Sequence, residues 1–374
     1  LNFKFEEKHM QKKLIALAIA GLVSAPAFAQ SNVTIYGVAD LGLGFIDGGK
    51  AGDTTGLANG ALAGSRLGFR GTEDLGNGLK ALFTLEYGLD IDENEGVGTG
   101  SLKARQSFVG LQGGFGTVVA GRLQTPGYYF AGKYVPLGGW ASVHDFMAGQ
   151  GQDFTIEDSS RIDSAVAYMT PSFSGFSATL AYGFGNEVNE EDAATPGTNK
   201  ADNVIAVGLN YDNGPLSLGG VYHQLNDPDQ SNAVAKREDV KEWALGGSYD
   251  FGVAKLFATY QEREIGFYGA TADYEDDVWT VGVSAPIGAA GSVSLAYGQY
   301  DGDGNGNEAD SWSLGYTHAL SKRTSLYAMY ARLSTDNGYT GYSRKNAAGL
   351  GAEKVSILAD EDVDRMAVGI SHKF

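Results

Sequence analysis

The feature that most constrains the fold of this chain is a period of two in its apolar residues, repeated along most of its length. In FSATLAYGF (176–184), the aromatic and leucine residues occupy even positions, and Ser, Thr and Gly occupy odd ones. The same division recurs in VTIYGVADLGLGF (33–45), SWSLGYTHAL (311–320) and MAVGISHKF (366–374), which is interrupted at His372. A period of two over about ten residues is typical of a β-strand with two unlike faces.

Sixteen segments carry this pattern and are predicted to be strands. They span 33–46, 64–75, 79–92, 102–113, 116–123, 160–171, 176–187, 202–213, 215–226, 239–251, 253–265, 275–286, 291–301, 309–320, 323–335 and 362–374. Tight turns such as DLGNG, SFSG and DNGP alternate with long polar stretches such as 47–63, 124–159 and 336–361. One end of the strand assembly therefore carries short turns, and the other carries long loops. No boundary interrupts the alternation, which indicates a single domain.

The first part of the chain has the pattern of an export signal. Lys12 and Lys13 precede an apolar run, 14–23, and Ala27-Phe28-Ala29 forms a small-residue cleavage pattern. The run is too short to span a bilayer, which favours a cleaved signal peptide over a retained anchor. We expect an upstream extension over 1–9, a signal peptide over 10–29 that is removed after Ala29, and one barrel domain over 30–374.

Composition narrows the class of protein further. The chain contains no cysteine, which excludes disulfides and thiol chemistry. Its formal net charge of −18 argues against nucleic acid as a partner, because a phosphate backbone needs a basic face. After the signal, no apolar run approaches the roughly 20 residues of a transmembrane helix. An exported chain of this kind is either soluble or crosses a membrane as a β-barrel.

The character of the second strand face favours the membrane barrel over a soluble sandwich. That face carries mostly Ser, Thr, Gly and Ala, while aromatic residues such as Trp243, Trp279 and Trp312 collect near segment ends. Strands of about 9–11 residues flanked by aromatic girdles are typical of outer-membrane barrels. An even strand count lets the first and last strands pair, which would place Phe374 in the lipid interface. A sixteen-stranded barrel is too wide for wall side chains to fill, so a passive, water-filled channel is expected.

Several stretches carry a family resemblance. At RLGFRGTEDLGNGLKALFTLE (66–86), ARQSFVGLQGGFGTVVAGR (104–122) and GYTHALSKRTSLYAMYARL (315–333), the chain resembles the trimeric general porins of Gram-negative outer membranes, particularly the β-proteobacterial type. The resemblance implies a multi-pass homotrimer among outer-membrane lipids, with short periplasmic turns, long external loops and a third loop folded into each pore. It implies diffusion of ions and small hydrophilic solutes. It also implies that the barrel assembly machinery recognises Phe374.

The resemblance further implies a cluster of wall arginines that faces acidic groups of the inward loop. Arg66, Arg105 and Arg161 match the motifs and are the predicted wall of the constriction. Alternation independently directs Arg66 and Arg161 into the lumen, but it is ambiguous at Arg105. An arginine facing lipid at mid-bilayer would cost about 2–4 kcal/mol, which favours inward placement. The alternative interpretation is an interfacial anchor or a structural ion pair.

Further polar residues are weaker candidates for the pore. Pore-lining candidates on the polar parity are Asp40, Arg70, Lys80, Glu86, Arg122, Asp163 and Arg365. Candidates in the long loop 124–159 are Lys133, Asp145, Asp153, Glu157 and Asp158. A 36-residue loop of this kind is usually functional. Because this loop is rich in aromatic residues, the sequence leaves open which side chain lines the narrowest point.

The same residues bear on three other functions. Aromatic residues in the loop keep a sugar- or oligosaccharide-preferring channel open as an alternative. An outer-membrane enzyme is disfavoured because the histidines are scattered and no G-x-S-x-G motif is present. A secreted adhesin is disfavoured by the sixteen two-faced segments. We expect no cofactor and no structural metal, although DGDGNG (301–306) leaves a loosely held divalent ion open. Ion selectivity stays open, because the net charge favours cations and the arginines favour anions.

Overall fold

The computed structural model describes residues 32–49, 52–93, 103–143, 160–184, 203–229, 237–267, 273–304, 306–336, 349–350, 353–354 and 360–374. The predicted upstream extension and signal peptide lie outside these residues. No helix in the described ranges combines the length and the apolar character needed to cross a bilayer.

Almost all of the described chain is β-strand. The strands are β1 Asn32–Asp47, β2 Asp53–Asn59, β3 Arg66–Gly76, β4 Leu79–Gly88, β5 Lys103–Gly113, β6 Gly116–Gln124, β7 Arg161–Met169, β8 Phe176–Gly183, β9 Val204–Asn213, β10 Leu216–Asp229, β11 Arg237–Asp250, β12 Lys255–Phe267, β13 Tyr274–Ile287, β14 Gly291–Gly302, β15 Glu308–Ala319, β16 Thr324–Thr335, β17 Gly349–Leu350, β18 Glu353–Lys354 and β19 Asp362–Lys373. Helix α1, Pro126–Tyr134, and a 3₁₀ turn, Gly139–Ala141, lie between β6 and β7.

The wall is a closed antiparallel sheet. From β3 to β16 each strand pairs with the next along the chain, and β19 pairs with both β16 and β1. β1 bonds to β3 over 32–38 and to β19 over 38–47, so the ring has no free edge. The backbone N–H and C=O of Phe374 complete the seam with Gly37, each at 3.1 Å. The predicted sixteen-stranded antiparallel barrel is confirmed.

One short strand was not predicted from the sequence. β2 pairs with residues 41–47 of β1, next to the part of β1 that pairs with β3. Residues 60–65 separate β2 from β3. A separate two-residue hairpin, β17 with β18, lies within the predicted loop 336–361. Neither belongs to the sixteen wall strands.

The two faces of the wall differ as the alternation requires. In β16, Leu326 is 42% exposed on the outer face, whereas Tyr327 and Met329 are at most 5% exposed on the inner face. Outward aromatic rings pair across neighbouring strands, with centroids 5.4 Å apart for Trp243 and Tyr260. Trp279 with Tyr297 and Trp312 with Tyr330 form equivalent pairs at 5.6 and 5.0 Å. These pairs form the girdle that was inferred from the sequence.

The described part of the third long loop, 125–143, lies inside the barrel. Helix α1 contacts β9, β10, β11 and β12, and the 3₁₀ turn contacts β15, β16 and β19. Phe130, Tyr134 and Trp140 are at most 9% exposed. The loop therefore crosses the lumen and packs against the wall on its far side.

Glycines of the inner wall make room for this loop. At five wall positions, an added Cβ would come within 3.0 Å of a loop side chain: Gly208 against Pro126, Gly219 against Tyr134, Gly246 against Phe130, Gly282 against Pro136, and Gly315 against Leu137. These glycines lie on β9, β10, β11, β13 and β15, so they form a track across one side of the barrel. The track lets apolar loop residues reach the wall backbone at normal packing density.

Adjacent glycines of β10 provide a matched test of this track. A Cβ at Gly219 would lie 2.5 Å from the Tyr134 ring. One at Gly220, on the outer face, would meet the flexible end of Leu245 at 3.1 Å and the Ala244 carbonyl oxygen at an ordinary 3.7 Å. We expect Gly219→Ala to lower the free energy of unfolding by about 1–3 kcal/mol through overpacking. It should also change the single-channel conductance, because the loop must move. Gly220→Ala should leave both quantities near the wild-type values, and equal effects of the two changes would contradict the track.

Candidate constriction site

A buried carboxylate organises the inner wall opposite the glycine track. Glu86 of β4 is 4% exposed, and its Oε1 atom accepts a hydrogen bond from Arg105 Nε at 2.8 Å. Arg66 Nη1 lies 4.0 Å from the same oxygen, and the Tyr36 hydroxyl donates to Oε2 at 2.9 Å. Tyr36 reaches this position because it lies across Gly68, where a Cβ would collide with its ring. One carboxylate thus holds two guanidinium groups in fixed positions.

A β-bulge explains why alternation was ambiguous at Arg105. Glu86 is opposite Gln106 and Tyr87 is opposite Ala104, so Arg105 is the extra residue of β5. An extra residue shifts the alternation on either side of it and redirects a side chain. Arg105 therefore faces the lumen, although the apolar residues that follow it suggested no clear parity.

A second irregularity lies between β6 and β7. Gly121 pairs with Ala165 and Leu123 pairs with Ile162, which leaves Arg122 opposite two residues of β7. One of these, Ser164, has a φ of 46°, in the left-handed region that a bulge residue can adopt. The other, Asp163, forms an ion pair with Arg122.

Tyr128 of α1 connects the inward loop to the arginines. Its hydroxyl accepts a hydrogen bond from Arg105 Nη2 at 3.0 Å, and its ring lies 5.4 Å from the guanidinium carbon of Arg161. Thr125 caps the helix by accepting from the backbone N–H of Tyr128 at 3.1 Å, which fixes the position of that residue. Arg122 Nε donates to the carbonyl of Ala104 at 2.8 Å. Arg66, Arg105, Arg122 and Arg161 thus lie close together on β3, β5, β6 and β7, and we call this group the arginine row.

Asp40 is on the inner parity but does not line the open lumen. Its side chain is 0% exposed beneath the segment 60–65. The Oδ1 atom accepts from the Tyr327 hydroxyl at 3.0 Å and from the Leu62 N–H at 3.3 Å. In that segment the carbonyl of Ala61 accepts a hydrogen bond from the backbone N–H of Trp140 at 2.9 Å. Asp40 therefore supports a segment that attaches the inward loop to the wall.

Lys133, a candidate of the long loop, contacts a carboxylate of β9. Its Nζ atom lies 2.8 and 2.9 Å from the two carboxylate oxygens of Asp212, close to the short-turn end of β9. Burial alone would lower the pKa of Lys133, but its hydrogen bonds with Asp212 and Tyr134 raise the pKa above the ordinary value. Lys133 therefore attaches the loop to β9 through an ion pair.

The remaining candidates are dispersed. The guanidinium of Arg70 lies 5.0 Å from the centroid of the Tyr36 ring, Lys80 is exposed, and Arg365 is 5% exposed within the wall. Phe374 is 45% exposed, with its ring over Gly37 on the outer face. Four loop candidates lie outside the described residues: Asp145, Asp153, Glu157 and Asp158.

Sequence reasoning gave Tyr36 no role, and it included Tyr128 only among the aromatic residues of the long loop. Tyr36 could have been found, because it is an aromatic residue on the polar parity of β1. Tyr128 follows Thr125-Pro126, a pair typical of a helix start. Its neighbour Tyr129 is 57% exposed to the lumen.

Comparison with known proteins settles the family. A family model for Gram-negative porins matches residues 16–338. The chain belongs to the Gram-negative porin family. It is 37% identical over 382 residues to outer membrane porin protein 32 of Delftia acidovorans, which covers 98% of this chain and 100% of that one.

Solved structures give the same result at the level of the fold. An anion-selective porin from Comamonas acidovorans superposes with a TM-score of 0.77 at 32% identity, covering 92% of this chain and 100% of that one. An in-vitro folded outer membrane protein of Vibrio cholerae in a trimer form shares the fold with a TM-score of 0.61 at 17% identity, covering 92% and 99%. The protein is thus a multi-pass β-barrel of the outer membrane that forms a water-filled channel for passive diffusion of ions and small hydrophilic solutes.

The carboxylate at the centre of the porin's arginine row can be tested directly. Glu86→Gln leaves Arg66 and Arg105 without their counter-charge, so we expect the free energy of unfolding to fall by on the order of 3 kcal/mol. The reversal potential in a salt gradient should also move toward anions. Glu73→Gln, an equal charge change at an exposed position of β3, is the control and should change neither quantity. A shift toward cations in Glu86→Gln would contradict the role assigned to this carboxylate.

Proposed function

We propose that this porin prefers anions, and that the preference is set by the arginine row. The observation that carries the proposal is the group of four guanidinium groups held beside α1, with Glu86 and Asp163 as their carboxylate partners in the described chain. A charge placed at a narrow, low-dielectric passage acts on every ion that passes. The anion selectivity of the Comamonas acidovorans porin supports the same interpretation.

The negative net charge does not oppose this proposal, because much of it lies outside the passage. Carboxylates line a cleft at the long-loop ends of β13, β14 and β15: Asp277, Asp301, Glu308, Asp310 and Asp336. Trp279, a girdle residue on the outer face, borders the same cleft. Exposed charges act over roughly a Debye length of 8 Å at physiological salt. These carboxylates therefore enrich cations at the rim, while the electric field at the narrowest point is determined by the arginines.

We further propose that the porin is a homotrimer, inserted by the barrel assembly machinery through recognition of Phe374. A trimer form is known for the Vibrio cholerae protein that shares this fold. The exposed ring of Phe374 at the end of the closing strand is consistent with recognition from outside the wall.

A second candidate function is a channel that prefers ring-shaped solutes. Tyr129 supports it, because this aromatic side chain is 57% exposed inside the pore. Its ring meets the Tyr128 ring edge-on at 5.8 Å, which holds it in place beside the arginine row. A sugar or aromatic solute could stack on such a ring. Conductance that saturates or is inhibited by such solutes would favour this function over plain diffusion.

Replacing Arg66, Arg105 and Arg161 together with glutamine tests the anion preference. In planar bilayers under a salt gradient, we expect the reversal potential of this variant to shift toward cations, because the arginine row loses most of its charge. The matched control is Arg332→Gln. Arg332 lies on the outer parity of β16 and pairs with Asp362, so its loss changes the net charge but not the passage. Equal shifts in both variants, or none in the triple variant, would refute the proposal.

A further inference from the structure

A buried chain of hydrogen bonds joins the start of α1 to the barrel wall. His223 of β10 is 0% exposed, and its Nε2 atom lies 3.2 Å from the backbone nitrogen of Gly127. Its Nδ1 atom lies 2.7 Å from Glu242 Oε1 on β11. Gln261 of β12 donates to the other oxygen of Glu242 at 3.1 Å. Three adjacent strands thus present one connected polar network to the helix.

The chemistry of this network fixes the tautomer of His223. A backbone N–H can only donate, so the Nε2 atom that faces Gly127 must carry a lone pair. The proton of the neutral ring therefore resides on Nδ1 and is donated to the carboxylate of Glu242. The imidazole accepts from the loop on one side and donates to the wall on the other.

This contact holds the part of the helix that builds the constriction. Pro126 has no N–H, so Gly127 carries the first free donor of α1, and the next donor, on Tyr128, is capped by Thr125. A helix start leaves such donors in need of acceptors. Tyr128 follows Gly127 directly and contacts both Arg105 and Arg161. A shift of Gly127 away from the wall would therefore move the arginine contacts as well.

We propose that His223 positions the inward loop, and that protonation of its Nε2 atom releases the start of α1 and makes conduction sensitive to pH. With a proton on Nε2, the ring and the Gly127 backbone present two donors to each other with no acceptor between them. The positive end of the helix dipole also faces the new charge. This inference rests on the constriction described above being the conducting path, but it does not depend on anion preference.

The groups around His223 indicate which ring nitrogen can take up a proton. It is Nε2, because Nδ1 already carries the proton of the neutral ring. On β11 the facing group is Glu242, which already accepts from Nδ1 in the neutral ring. On β9 the residue opposite His223 is Ala206, which is uncharged. Three further cations on packed elements have carboxylate partners: Arg263 of β12 with Asp276 of β13, Lys133 of α1 with Asp212 of β9, and Lys241 with Glu264 on the outer parity of β11 and β12.

The test is the pH dependence of single-channel closing events in full-length refolded porin. In the wild type, we expect the closing frequency to rise several-fold on acidification from about pH 7.5 to about pH 5, because a proton on Nε2 removes the acceptor for the Gly127 N–H. His223→Gln keeps an acceptor for Gly127 and a donor for Glu242 but cannot titrate in this range, so its closing frequency should stay flat. His318→Gln removes a histidine on the outer parity of β15 and should retain the wild-type response.

A second variant keeps the proposal testable if His223→Gln does not refold. Glu242→Gln removes the negative charge that would face the protonated ring, so the acid response should be weaker than in the wild type over the same pH interval. The proposal is overturned if the wild type shows no response down to about pH 5, or if His223→Gln responds as the wild type does. Reversal potentials recorded in the same membranes report on anion preference separately, so failure of one inference is distinguishable from failure of the other.

Discussion

The structure depends on one requirement: a backbone in lipid must find all its hydrogen-bond partners within the protein. The sheet satisfies this requirement by closing, with β1 bonded to β3 along one part and to β19 along the other. Closure removes the free edges and forces one face of every strand toward lipid and the other toward the lumen. The two-residue period of the sequence is the direct result. At sixteen strands the enclosed space is too wide for wall side chains to fill.

The same width creates the need for an inward loop, which is held at several points along its path. Apolar side chains such as Phe130 and Tyr134 pack onto wall glycines, and Lys133 reaches Asp212 near the short turns. Near the two ends of the described segment, the backbone N–H of Gly127 donates a hydrogen bond to His223, and the backbone N–H of Trp140 donates one to the Ala61 carbonyl. A loop attached in this way has a defined position, so Tyr128 meets the arginine row with fixed geometry. In the proposed account, selectivity follows from that position rather than from the total charge.

The wall could be predicted from the sequence because lipid imposes its pattern on every strand that crosses it. β2 was missed because DTTGLAN (53–59) carries no such pattern and is held mainly by backbone pairing with β1. Alternation directed Arg66 and Arg161 inward, but it could not reveal the extra residue that redirects Arg105. It also placed Asp40 on the inner face without showing that the segment 60–65 covers it. Features that depend on how loops pack, including the partner of Lys133 and the network of His223, have no local sequence signal.

The most direct test of this account is whether the inward helix stands in the conducting path. The chain contains no cysteine, so Tyr129→Cys provides a single thiol at a position that is 57% exposed in the lumen. Attachment of a bulky water-soluble thiol reagent in a bilayer recording should lower the conductance of each pore stepwise. The same reagent on Ala328→Cys, on the lipid-facing side of β16, should leave the current unchanged. Complete labelling of Tyr129→Cys with an unaltered conductance would show that α1 does not border the pore, and would contradict the account.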